Sequence, residues 1–147
     1  MTYKLEKAIW TEADFERMGW HDCYIYKIRV AEDLELDIDY IFQWIKPEVE
    51  GLPFTFCVAP CTLVFRQIKH LTFELKTAFD DAVEIEGIER TENEDHILWT
   101  ILTQQGEIEF ISEGFTQYVR QEPFYQLGQT IPYIERYGFN LDRTTTQ

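Results

Sequence analysis

Leu34, Leu36, Ile38, Tyr40, Phe42 and Trp44 alternate with Glu35, Asp37, Asp39, Ile41 and Gln43. A period of two sustained over this length predicts a β-strand with one apolar face. The opposite face opens with three carboxylates at alternate positions. Residues 21–30 predict an earlier strand, in which Cys23 and Ile25 share one parity and Ile28 and Val30 the other. A parity change inside a strand predicts a bulge, here near Tyr26 or Lys27. Ala31-Glu32-Asp33 is short enough to join the two strands as a hairpin. Ahead of them, Thr11 caps a short helix over 12–18, with Asp14 as a weak form of the capping box and Gly19 as its end.

The loop 46–53 is marked by Pro and Gly. Phe54, Phe56 and Val58 then alternate until Pro60 interrupts, and a separate apolar run covers 61–68 with Leu63 and Phe65 on one face. Leu71, Phe73 and Leu75 predict a strand, 78–81 a turn, and Val83, Ile85 and Ile88 a further strand broken at Gly87. A turn at 92–95 leads into a strand over 97–103. Gln104-Gln105-Gly106 closes a hairpin, with Gly106 in the left-handed region, onto a strand over 107–112. Residues 114–120 fit either strand or helix. Pro132 and Gly138 bracket a short helix, and 144–147 are expected to fray as a flexible tail.

These elements predict a mainly β, β-rich α+β domain over 1–143. Its architecture is an antiparallel sandwich or part-closed barrel of about seven to nine strands with one or two short helices. Strands and helices do not alternate, which argues against a parallel doubly wound sheet.

Composition narrows the classes. The chain has 147 residues, 45% hydrophobic and 16% aromatic, enough to fold one domain and too greasy for disorder. No apolar run approaches the roughly 18 residues of a membrane span. With no signal peptide evident, the expected location is the cytoplasm. The three cysteines, Cys23, Cys57 and Cys61, are then expected to be reduced thiols. Acids outnumber bases 27 to 13, a net charge of −14. That sign disfavours nucleic acid and anionic lipid and would steer a basic protein partner.

The candidate chemistry follows from the acids. Glu35, Asp37 and Asp39 share a strand face, as do Glu84 and Glu86, and Glu107 and Glu109. Like charges opposite one another on neighbouring strands destabilise a sheet. Nearby Lys or Arg, hydration, a bound cation or a basic partner would offset them. Tyr24 and Tyr26 share a parity and would suit an interface beside acids. The leading expectation is therefore a non-catalytic protein-binding surface of Glu35, Asp37, Asp39, Tyr24 and Tyr26.

The alternative is a small-molecule-binding barrel or a small metal-dependent hydrolase built on His21, Asp22 and Glu74. A His-Asp pair serves metal phosphohydrolases as paired ligands, but further ligands are needed, and only His70 and His96 remain. Glu74-Leu75-Lys76 has the spacing of metal-dependent nucleases, with Asp37 or Asp39 as second acid, yet the net charge is wrong for a polyanion. Cys23 would share a strand face with His21, a weak signal for thiol activation. No complete catalytic constellation and no established zinc spacing is present, so no cofactor or metal is expected.

Two segments, Trp20-His21-Asp22-Cys23-Tyr24-Ile25 and Gly114-Phe115-Thr116-Gln117-Tyr118-Val119-Arg120, carry a resemblance. The first resembles the opening strand of small bacterial β-rich families in which a His-Asp pair precedes an apolar strand. Some of those families are associated with immunity proteins of polymorphic toxin systems. The resemblance implies a bacterial cytosolic protein that neutralises a toxin, and it carries over no catalytic residues.

Overall fold

The apolar alternation closes into ten antiparallel strands in the computed structural model, which describes residues 2–78 and 82–147. The expected turn over 78–81 lies, beyond Ala78, outside the described residues. The strands are β1 (Ile9–Thr11), β2 (Tyr24–Val30), β3 (Leu34–Ile45), β4 (Thr55–Phe65), β5 (Lys69–Leu75), β6 (Val83–Glu92), β7 (Ile97–Thr103), β8 (Gly106–Ile111), β9 (Phe115–Val119) and β10 (Phe124–Gln126). Their order is β1-β9-β4-β3-β2-β6-β7-β8-β5, with β10 paired to β4. The sheet is open, and β1 and β5 end the path. No helix among the described residues is long and apolar enough to cross a membrane.

The sheet folds over at its thinnest seam. β2 meets β6 at only two positions, Tyr24 opposite Glu84 and Ile25 opposite Val83. Beyond that seam the two halves stack. Phe65 of β4 packs on Phe110 of β8 at 4.7 Å and on Trp99 of β7 at 5.3 Å, and Phe115 of β9 meets Trp99 at 5.7 Å. Leu34, Leu36, Ile38, Leu63, Ile85, Ile101 and Ile108 fill the space between and are fully buried. Each such side chain stabilises the fold by roughly 1.5–3 kcal/mol of transfer free energy. The result is the expected mainly β architecture, one open antiparallel sheet of the sandwich or part-open barrel kind.

Local expectations are met where local physics decides. Thr11 caps a 3₁₀ helix, Glu12–Arg17, and Asp14 completes the capping box. The β2–β3 register shifts between Ile25 and Lys27. Gly106 has φ +140, and a Cβ there would fall 1.8 Å from the Glu74 carbonyl oxygen, so neither conformation nor space admits another residue.

Four expectations are corrected. Pro60 does not interrupt: β4 runs through it, with Asp39 opposite. The Pro60 carbonyl accepts from the Arg120 amide on the far side. A strand residue turns both backbone groups to the same neighbour, so the missing N–H falls between β10 and β9 and costs no bond to β3. Gly87 likewise marks a bulge inside β6, not a break. Residues 132–138 form one helical turn, with Arg136 N–H bonded to Pro132 O. It closes as a Schellman motif, Gly138 N–H to Tyr133 O and Tyr137 N–H to Ile134 O, with Tyr137 rather than glycine in the left-handed position (φ +58). The C-terminal tail is held: the Thr146 amide donates to Val119 O at 3.0 Å and its hydroxyl meets Glu122.

From Leu127 onward the chain becomes a strap across the outer face of β3, β4 and β9. It contacts Asp39 through the Ile131 amide, Asp37 through the Asn140 amide, and Glu35 through Arg143. Eight consecutive residues, Leu34–Ile41, are consequently buried on both faces of one strand.

Candidate functional site

The three carboxylates of β3 lie beneath this strap. Asp37 and Asp39 are 0% exposed and Glu35 3%. Arg136 grips Asp37 in a fork, Nη1 to Oδ2 at 2.8 Å and Nη2 to Oδ1 at 2.7 Å. Its Nε and Nη2 also reach Asp39 Oδ1 at 3.2 and 3.1 Å. Arg120 donates to Asp37 Oδ1 at 2.7 Å. Glu35 takes Arg29 at 2.6 Å and Arg143 at 3.1 Å. The Tyr26 hydroxyl donates to Asp39, and the Arg136 guanidinium sits 4.1 Å over the Tyr26 ring. Burial raises the Tyr26 hydroxyl and the Asp39 carboxyl above their ordinary values, in spite of Arg136 beside both.

This corrects the leading expectation. Glu35, Asp37 and Asp39 are not presented to a partner, because four arginines of the same chain already satisfy them. Tyr26 belongs to that buried network, and Tyr24 lies half-buried opposite Glu84 of β6. Such a network adds little net stability, since desolvation offsets attraction, yet removing one member strands a buried charge. Its consequence is positional: it fixes where the strap lies.

The second acidic face is different. On the outer side of β6-β7-β8-β5, Glu74 lies directly opposite Glu107. The row Thr72, Glu109, Thr100, Glu89 crosses all four strands. Leu98, Leu102 and Ile111 are half-buried between them. Among the described residues, none of Glu74, Glu89, Glu107 and Glu109 has an ion-pair partner. This face is solvent-facing and uncompensated.

His21 and Asp22 occupy a turn, with Cys23 N–H bonded to Trp20 O and Asp22 in the left-handed region (φ +66). Aspartate tolerates that conformation better than most residues. The turn is stitched to β6 by Asp22 N–H to Ile85 O and by the His21 ring against Glu86 O. Gln129 of the strap donates to Asp22. His21 stacks on Trp44 at 5.9 Å, beside a cleft of about 380 Å³ that also takes in Arg17, Tyr40 and Phe42. Glu74 is not there: it sits on β5, three strands beyond β6. Among the described residues no three His, Cys, Asp or Glu side chains are placed to hold a metal ion. Cys23 is fully buried and burial pushes its thiol up to about 12, the reverse of activation.

The residues that the pattern of the sequence did not single out are Arg29, Arg120, Arg136 and Arg143. The available signal was the Glu135-Arg136 pair, set within the apolar run Pro132-Tyr133-Ile134 and Tyr137-Gly138-Phe139. No family model matches the chain, and neither a curated protein nor a solved structure matches it.

Proposed function

We propose that the protein is a non-catalytic binding protein that receives a basic protein partner on the outer face of β6-β7-β8-β5. The observation that carries this reading is the pairing of Glu74 with Glu107 across adjacent strands, with no ion pair to either carboxylate among the described residues. A like-charge pair at that spacing disfavours the sheet by up to about 1 kcal/mol. On β3 the chain answers its carboxylates with its own arginines; here, among the described residues, it does not. Lysines and arginines of a partner would supply the missing charge, and a chain at −14 would steer them in. The half-buried Leu98, Leu102 and Ile111 provide apolar contact at the centre. The resemblance of the two segments noted above makes a basic toxin domain the narrower candidate.

The test is a residue-resolved NMR titration with a Lys/Arg-rich peptide at low and moderate salt. Shifts should concentrate on Thr100, Leu102, Glu107 and Glu109, weaken with salt, and vanish in a Glu74→Gln, Glu107→Gln, Glu109→Gln variant. Equal shifts in that variant, or shifts confined to other surfaces, would sink the reading.

A second reading, small-molecule binding, has one observation behind it: Trp44, 42% exposed, stacked on His21 at the edge of an aromatic cleft. His21→Ala should then remove quenching of tryptophan fluorescence by a planar aromatic probe without lowering the melting temperature. A melting loss with quenching unchanged would assign His21 to the turn alone.

A further inference from the structure

Among the described residues three strands have a single neighbour, β1, β10 and β5, and they are not equivalent. β1 and β10 span three residues each, Ile9–Thr11 and Phe124–Gln126, whereas β5 spans seven, Lys69–Leu75, and pairs, among the described residues, with β8 alone. The Lys76 amide donates to Gln105 O at 2.8 Å, in continuation of the register that sets Glu74 opposite Glu107. Bonding direction alternates along a strand. Thr72 and Glu74 therefore turn their backbone groups toward β8. Phe73 and Leu75 turn theirs outward, with no partner among the described residues, and Leu71 lies where the register shift ends.

The side chains of this edge divide as cleanly. Phe73 lies opposite Ile108, on the apolar side, and Leu71 and Leu75 flank it against the core. Phe73 itself is 40% exposed. Thr72 and Glu74 face the other way. Proteins guard long edges with proline, lysine or bulges. Here a register shift between Lys69 and Thr72, with His70 left-handed at φ +55, bends the start of the strand. The five residues from Leu71 to Leu75 carry no such guard, apart from the single charge of Glu74.

We infer that a second copy of this chain pairs antiparallel with β5 about a two-fold axis at Phe73. In that register Phe73 meets its counterpart, each Leu71 meets Leu75, and each Thr72 meets Glu74. No like charges stand directly opposite, and six apolar side chains form one strip along the junction. The outward N–H and C=O groups of Phe73 pair with those of its counterpart, and those of Leu75 face Leu71 of the other copy. An isologous contact closes on itself, so the edge is consumed and no fibre propagates. An unrelated extended peptide could use the same backbone, but the match of the strand to its own reverse favours the second copy. The contact is short, and two chains at −14 repel, so the dimer is weak and strengthens as salt screens them. That salt dependence is opposite in sign to the one expected for a basic partner, and the two proposals fail independently.

Sedimentation velocity of the full chain from micromolar to millimolar concentration, at low and high salt, tests this. The dimer fraction should rise with both. Phe73→Pro removes an outward donor and leaves the β8 bonds of Thr72 and Glu74 in place; it should lower the association constant at least tenfold with circular dichroism unchanged. Phe73→Glu serves should the proline variant unfold, and the same loss is expected. Phe73→Cys should oxidise to a disulfide-linked dimer, since residues paired this way sit about 5.5 Å apart between Cα atoms, within disulfide reach. A chain that stays monomeric throughout, or a folded Phe73→Glu variant that dimerises undiminished, overturns the inference.

Discussion

β3 and the β5–β8 face begin from the same sequence signal, acids at alternate positions, and end in opposite states. On β3, Asp37 and Asp39 are fully buried and held by Arg136 and Arg120. On the other face Glu74 and Glu107 oppose each other in solvent, with no ion pair to either among the described residues. The difference is the strap. It crosses one half of the sheet and not the other, and it brings Arg136 and Arg143 with it. An alternating acidic strand is therefore not evidence of an acidic surface; what lies over it decides.

The comparison breaks most visibly at Arg136. Arg136→Ala leaves Asp37 and Asp39 buried without their main counter-charge. It should lower stability by about 3–5 kcal/mol in urea denaturation, while Glu107→Ala changes it by no more than about 1 kcal/mol. Equal effects at the two sites would show that the strap does not bury the β3 acids in solution. A smaller loss tests the same network from below. Tyr26→Phe deletes one hydrogen bond to Asp39 but keeps the ring under Arg136, and should cost about 1–2 kcal/mol.

On the open face the sign should reverse. Glu107→Gln removes the repulsion with Glu74 and should stabilise by about 0.2–1 kcal/mol at low salt, a gain that shrinks as salt is added. A loss at every salt concentration would mean that Glu107 has a stabilising partner.

The smallest effect concerns the far anchor of the strap. The Gln67 amide and Arg143 hold the Asp33 carboxyl below its ordinary value of 3.8. A carboxyl lowered on folding contributes stability that is present above its unfolded value and lost as pH falls through its folded value. Asp33→Asn should flatten the fall of stability with acid below pH 3.8, relative to the parent chain. An unchanged acid limb would place the protons elsewhere.

Several features were legible because they are local. The Thr11–Asp14 cap, the bulge after Ile25, the span of β3 and the glycine at 106 each depend on a few neighbouring residues whose sterics or hydrogen bonds act directly. Pro60 misled because its cost depends on which neighbour strand its missing N–H would face. The run 114–120 was ambiguous because Phe115 and Tyr118 fit either period, and pairing with β4 and β1 selects the strand.

The sequence by itself determined the elements: apolar positions at period two, turn residues between them, and an amount of apolar surface that must be buried. It also determined the sign of the charge. Only the tertiary structure decided which carboxylates meet water. Asp37 and Arg136 are 99 residues apart, and no local preference of either encodes their meeting. Burial of a charge is a property of what the rest of the chain packs against it, and the strap, which follows all ten strands in the chain, meets β3 only in the folded sheet.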